Sequence, residues 1–217
     1  MNITPLPWPR KPLARFLLAF TLLYASFHFP WPGFCAAYHD FFIKTGHFAF
    51  FDPAGLRAVW FESSADAKLP YNVNICIANR NTFRENGGAG PVRTIHINSR
   101  GFGWHPTALI IALFLATPVA WKRRLGGLTL ALIVFHVFVY TSLAFMIWKD
   151  STFVGLSNLA EWQLSAGEDI KKMIVMGVGV VVPLLSWLIF ALRQPGLLSL
   201  PLRPRSASEN LYFPPSG

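Results

Sequence analysis

Charged side chains are scarce in this sequence: Asp, Glu, Lys and Arg make up 13% of 217 residues, about half the share of roughly 25% found in soluble domains. The shortage excludes a chain whose main solvent is water. Away from their ends, the long apolar runs contain no Asp, Glu, Lys or Arg. That argues against a proton pump or an ion-coupled transporter, which needs a buried relay of titratable groups. Cysteine is limited to Cys35 and Cys76. Both fall in the segment expected outside, where an oxidising compartment permits a disulfide, and the sequence does not decide between a bridge and two free thiols. The six histidines do not follow the spacing of a zinc or copper motif, so no metal or cofactor is expected.

What is present is apolar. Hydrophobic residues make up 53% of the chain and gather into runs, and a run of about 18 is what a hydrocarbon core about 30 Å thick demands. Leu13 to Phe29, Pro106 to Trp121, Leu125 to Trp148 and Met173 to Leu192 are read as four membrane helices. The first follows Arg10, Lys11 and Arg15 and ends at Pro30 and Pro32; it is long for a signal peptide and no small-residue cleavage site directly follows it. Lys122-Arg123-Arg124 reads as a tight turn between the second and third helices, and Pro183 is expected to kink the fourth.

The basic excess has a side. Residues 1–15, 122–126 and 193–217 carry nine Lys and Arg against one acid, Glu209, whereas the loops 30–105 and 149–172 carry ten against nine. The positive-inside rule then places both termini in the cytoplasm and the two loops outside. A basic surplus spent at the membrane face leaves no reason to expect nucleic acid as a partner.

Within the first loop, Phe34 to Phe61 is rich in aromatics but interrupted by His39, Asp40, Lys44, His47 and Asp52, which predicts an amphipathic segment lying in the outer interface. Tyr71 to Ala78 and Val92 to Asn98 alternate with a period of two, around a turn at Asn86 to Gly90. They predict a small β-hairpin that must bury its apolar side on the membrane or the helices. Leu156 to Leu164 in the second loop predicts a short interfacial helix. The expected fold class is an all-α membrane protein: one polytopic domain over residues 1–193, with about four transmembrane helices, the external hairpin and interfacial helices. The tail from Gln194 is rich in Pro, Ser and Arg and is expected to be disordered. Glu209 to Phe213 match the first five residues of a viral-protease recognition tag, with Pro214 where glutamine would stand, and are set aside as a tag remnant.

Two places could carry chemistry. His136 is the one histidine well inside a span, where an ionisable group is costly enough to be a functional candidate, although a neutral imidazole can equally bond a neighbouring helix. Asn98 to His105 joins the hairpin to the second span. There Ser99, Arg100 and His105 bring a nucleophile type, a cation and a base type close together in sequence, and Arg100 and Trp104 are candidates for binding at the outer surface. The same segment also reads as a glycine-bearing connector with an interfacial tryptophan.

From residue 13 to 148, the order of first helix, external hairpin, entry motif, second helix, basic turn and third helix resembles the core of exosortases and archaeosortases. Those are membrane transpeptidases that process C-terminal sorting signals with cysteine, arginine and histidine. Their entry motif is Cys-x-Gly-hydrophobic, and Ser99-Arg100-Gly101-Phe102 occupies that slot with serine for the nucleophilic cysteine. Where the family has Asn-x-x-Arg in the next helix, the matching spacing falls on His136 and Val139. The resemblance therefore implies a relative that has lost the usual chemistry, since serine is a weak unassisted nucleophile and no arginine remains for an oxyanion. The expectation is a bacterial inner-membrane protein of the cell envelope. It would be a non-catalytic accessory or assembly subunit whose partners are the lipid bilayer and other membrane proteins. The alternative is a divergent exosortase-like peptidase using Ser99, with His105 or His136 as base.

Overall fold

Backbone that is withdrawn from water must close its hydrogen bonds internally, which long apolar runs do as helix. The computed structural model of the chain, which describes residues 10–29, 31–52, 54–64, 72–87 and 89–192, is accordingly mostly helical with one small sheet. The order is α1 (Arg10–His28), α2 (Pro32–Phe50), β1 (Arg57–Ser63), β2 (Val73–Asn79), α3 (Arg80–Glu85), β3 (Val92–Ile97), α4 (His105–Ala116), α5 (Trp121–Asp150) and α6 (Glu161–Leu192). A π-turn over Arg100–Trp104 leads into α4, and a 3-10 turn over Ser151–Val154 follows α5.

Among the described residues, one helix is long and apolar enough to cross a membrane, Trp121–Val154, with mean hydropathy 2.3. The number rises to three if two bent pairs each form one span: Leu13–His28 with Gly33–Phe50, and Glu161–Ile174 with Gly179–Phe190. Leu17, Leu22, Ile133, Val137 and Ile189 are each more than half exposed. These side chains are too large and too apolar for a surface facing water alone.

The sheet has three antiparallel strands in the order β1-β2-β3, not the expected two, with Phe61 opposite Ile75 and Val73 opposite Ile97. The expected hairpin strands are β2 and β3. The missed strand lies at the end of the aromatic stretch read as interfacial, and most of that stretch is the 19-residue helix α2. Val73, Ile75 and Ile77 of the central strand are fully buried, each contributing about 1.5–3 kcal/mol relative to exposure. Phe42 of α2 meets Phe61 of β1 edge to face at 6.4 Å. Gly46 permits this approach, because a Cβ there would lie 2.6 Å from the Phe61 ring.

Other boundaries move for local reasons. Pro118 cannot continue a helix, so α4 stops at Ala116, and Lys122-Arg123-Arg124 form the first turn of α5 and not a connecting turn. Leu156 to Leu164 is not a separate helix: residues 157–160 have no regular secondary structure and 161–164 open α6. The bend in α6 falls between Ile174 and Gly179, not at Pro183. Cys35 and Cys76 are both free, and burial pushes the Cys76 thiol up to about 11. The tail from residue 193 lies outside the described residues.

Candidate functional site

The connector from sheet to helix is built by Asn98. Its carboxamide oxygen accepts the amides of Arg100 at 3.0 Å and Gly101 at 3.1 Å, and its carbonyl accepts that of Phe102 at 2.8 Å. These bonds start the π-turn, and Pro106, which has no N–H to leave unpaired, sits in the first turn of α4. Ser99 is thereby folded inward and is 2% exposed.

Ser99 is held by one partner from both sides. Asn72 donates Nδ2 to Ser99 Oγ at 2.9 Å, and the Ser99 amide donates to Asn72 Oδ1 at 2.8 Å. A backbone N–H can only donate, so this second bond fixes which end of the carboxamide is oxygen. The other Nδ2 hydrogen then points to His39 Nδ1, 3.2 Å away. His39 must accept there, which leaves its proton on Nε2, 2.8 Å from Ser63 Oγ. Ser63, His39 and Asn72 thus stand in the order of a catalytic triad with the imidazole in the opposite tautomer: His39 gives Ser63 a proton donor where activation needs a lone pair.

The neighbouring cluster is similarly committed. Arg100 donates Nε to His105 Nε2 at 3.0 Å and Nη2 to the His28 carbonyl at 3.0 Å, and the rings of His28 and His105 lie 4.2 Å apart. Burial, then the nearby His28 and Arg100, lower the His105 pKa to about 4. At neutral pH its one basic nitrogen is therefore uncharged and already occupied. Trp104 is buried, donates its indole N–H to the Phe27 carbonyl at 3.2 Å and packs on Phe34 and Tyr38, so it fastens α1 to the π-turn.

His136 belongs to a third group. Its Nδ1 donates to the Leu132 carbonyl at 2.8 Å, and its Nε2 faces the Tyr38 hydroxyl at 3.4 Å. It also lines an open apolar groove between α2 and α5, with Phe50, Ile133 and Tyr140. The fold thus brings Arg100 and His105 together but gives Ser99 neither His105 nor His136 as a hydrogen-bond partner.

Asn72, His39 and Ser63 were not singled out from the sequence. Asn72 carried a signal only as the polar residue opening an alternating strand, and His39 only as a break in an aromatic stretch. A second missed cluster lies at the end of α5. There Lys149 and Asp150, each 2% exposed, pair with each other at 3.5 Å; Lys149 also bonds Glu168 of α6, and Arg93 of β3 reaches Asp150 at 3.5 Å. Among the described residues, no three His, Cys, Asp or Glu side chains converge on a metal-sized site. Compared with known proteins, the chain matches no family model, no curated relative and no solved structure, so the reading of this site rests on its own geometry.

Proposed function

We propose that this chain is a non-catalytic subunit of a membrane complex in the bacterial cell envelope, crossing the inner membrane four times with both ends in the cytoplasm. The observation that carries the non-catalytic reading is the state of Ser99. It is 2% exposed, and the partner on its Oγ is the Asn72 NH2, a donor that cannot take a proton. Of the two candidate bases, His105 accepts from Arg100 at Nε2, and His136 donates Nδ1 to the Leu132 carbonyl and turns Nε2 to Tyr38.

Four passages are supported by how the sheet is tied down. Arg93 binds β3 to Asp150, so the sheet lies at the C-terminal end of α5. The 30 residues of α5 extend about 45 Å at 1.5 Å per residue, which carries Trp121 to the far side. The chain must cover that distance between the sheet and Trp121, and the π-turn with α4, 17 residues from Arg100 to Ala116, supplies about 25 Å of it. The exposed apolar rows on α1, α5 and α6 supply surface for lipid and for partner helices.

Purification of the full chain in mild detergent tests the reading. Recovery with other membrane proteins in fixed proportion is expected, and a chain that runs alone and monomeric overturns the subunit role. Ser99→Ala should leave the cellular phenotype of the protein intact. Its loss, with the variant still folded and inserted, would favour an exosortase-like peptidase instead.

A further inference from the structure

The two edges of the sheet differ. Against β1 packs α2, and His47 donates to the Phe61 carbonyl at 2.8 Å. Along β3 lies an open groove of about 350 Å³, within the size range of ligand clefts. Four consecutive residues, 95–98, line it. The groove follows β3 lengthwise, touching the buried Ile95 and Ile97 and the exposed His96, and β3 is an edge strand of the sheet. That edge carries the backbone donors and acceptors that β2 does not use.

The rest of the groove states what would lie there. Phe102 and Met146 give it an apolar floor, and Gly101 leaves its end open, with only Asn98 within 4 Å of where a side chain would start. Of the polar lining, His96 is bonded through Nδ1 to the Asn74 carboxamide oxygen at 2.9 Å, and Asn98 and Lys171 present donors. Asn98 has its carboxamide oxygen taken by two amides and can offer a ligand only its NH2. Among the described residues Lys171 makes no ion pair within 4 Å, although its charge acts on Glu168, whereas Lys149 and Lys172 are paired with Glu168, Asp150 and Asp169. Among the described residues no carboxylate lines the groove.

From this juxtaposition we infer that the β3 edge is a docking site for an extended, acidic segment of a partner polypeptide, which adds as a fourth strand and sets a carboxylate against Lys171. Main-chain bonds along β3 give the affinity, as in other strand additions, and Lys171 with the Phe102 and Met146 floor gives the selectivity. The inference rests on the subunit reading for the source of the strand.

The probe is a fluorescein-labelled heptapeptide of alternating Val and Glu, with both ends blocked, titrated against the detergent-solubilised full chain and followed by fluorescence anisotropy. Saturable binding is expected, weakened about tenfold by Lys171→Glu and about tenfold when Lys replaces Glu in the peptide. Two N-methylated peptides, modified on alternate amides, should separate: methyl groups on the edge facing β3 abolish the strand bonds, and those on the outer edge leave binding intact. Equal binding of the two, or no saturation up to about 1 mM, overturns strand addition. A chain that purifies alone yet binds the peptide refutes the subunit role and leaves the docking site standing. Partners that stay bound to Lys171→Glu in full proportion refute the docking site and leave the subunit role.

Discussion

Asn72 shows what one buried amide can decide. Its three bonds, to the Ser99 amide, the Ser99 hydroxyl and His39, orient the connector and fix the imidazole tautomer at once. Asn72→Ala strands the buried Ser99 amide and hydroxyl together, so a loss of about 2–3 kcal/mol in stability is expected, read as thermal unfolding in detergent. A second prediction concerns acid. In the folded chain His105 titrates near 4, against about 6.5 unfolded. The unfolded chain therefore binds the extra proton first, and stability that is complete above about pH 6.5 is lost as the pH falls toward about 4. Glu168 has the usual carboxylate sign: its bond to Lys149 lowers its pKa, so its contribution is present above about 4.3 and disappears only below that. His105→Gln keeps an acceptor for Arg100 and should remove the upper phase while leaving the lower one. Unfolding temperatures measured from pH 7 to pH 4 that fall equally in variant and parent would refute the assignment.

At the scale of elements, what the sequence made legible depended on where each element's polar residues go. Strand β3 is readable because its alternation survives folding, Ile95 and Ile97 turning inward and His96 outward, whereas β2 alternates in sequence although Ile75 to Ala78 are all buried between its two neighbours. The segment that forms α2 looks interfacial in sequence because His39 and His47 interrupt its apolar residues. Those two histidines in fact bond Ser63 and the Phe61 carbonyl of a strand that the sequence did not announce. In β1 the apolar residues Ala58 to Phe61 are continuous, which removes the period of two that marks a strand. The candidate site was partly legible for the same reason. The cluster of Arg100 with His105 is local in sequence, whereas Ser99 depends on a partner 27 residues away that only strand pairing brings near. Helix packing yields a paired prediction. A Cβ on Gly127 of α5 would lie 2.6 Å from Phe190 of α6 and 2.7 Å from Phe114 of α4, while one on the adjacent Gly126 meets nothing within 4 Å. Gly127→Ala must push two rings on two helices and should cost about 1–3 kcal/mol. Gly126→Ala should be neutral or stabilising by up to about 1 kcal/mol, since alanine is the better helix former. Equal melting of the two variants would show that the three helices do not close on residue 127.

For the molecule as a whole, the proposed four membrane crossings depend on α4. Among the described residues only Trp121–Val154 satisfies the length and apolarity of a span by itself, and α4 has 12 residues, fewer than the roughly 17–25 a bilayer needs. If α4 did not cross, Lys122-Arg123-Arg124 would lie on the same side as the sheet, and the strongly basic turn would face outward against the positive-inside rule. The ion pair from Arg93 to Asp150 opposes that arrangement, because it holds β3 at one end of a helix whose other end carries those three cations. Thiol labelling of whole cells separates the two cases. Cys76 needs no removal, since burial keeps its thiol protonated and unreactive, but Cys35 is replaced by serine before a single cysteine is introduced. Asn81→Cys, exposed on α3 beside the sheet, should react with an impermeant maleimide in intact cells. Arg123→Cys should react only after the membrane is opened. Labelling of position 123 from outside would mean that α4 turns back within the membrane, that the C-terminal helix ends outside, and that the chain crosses three times or fewer.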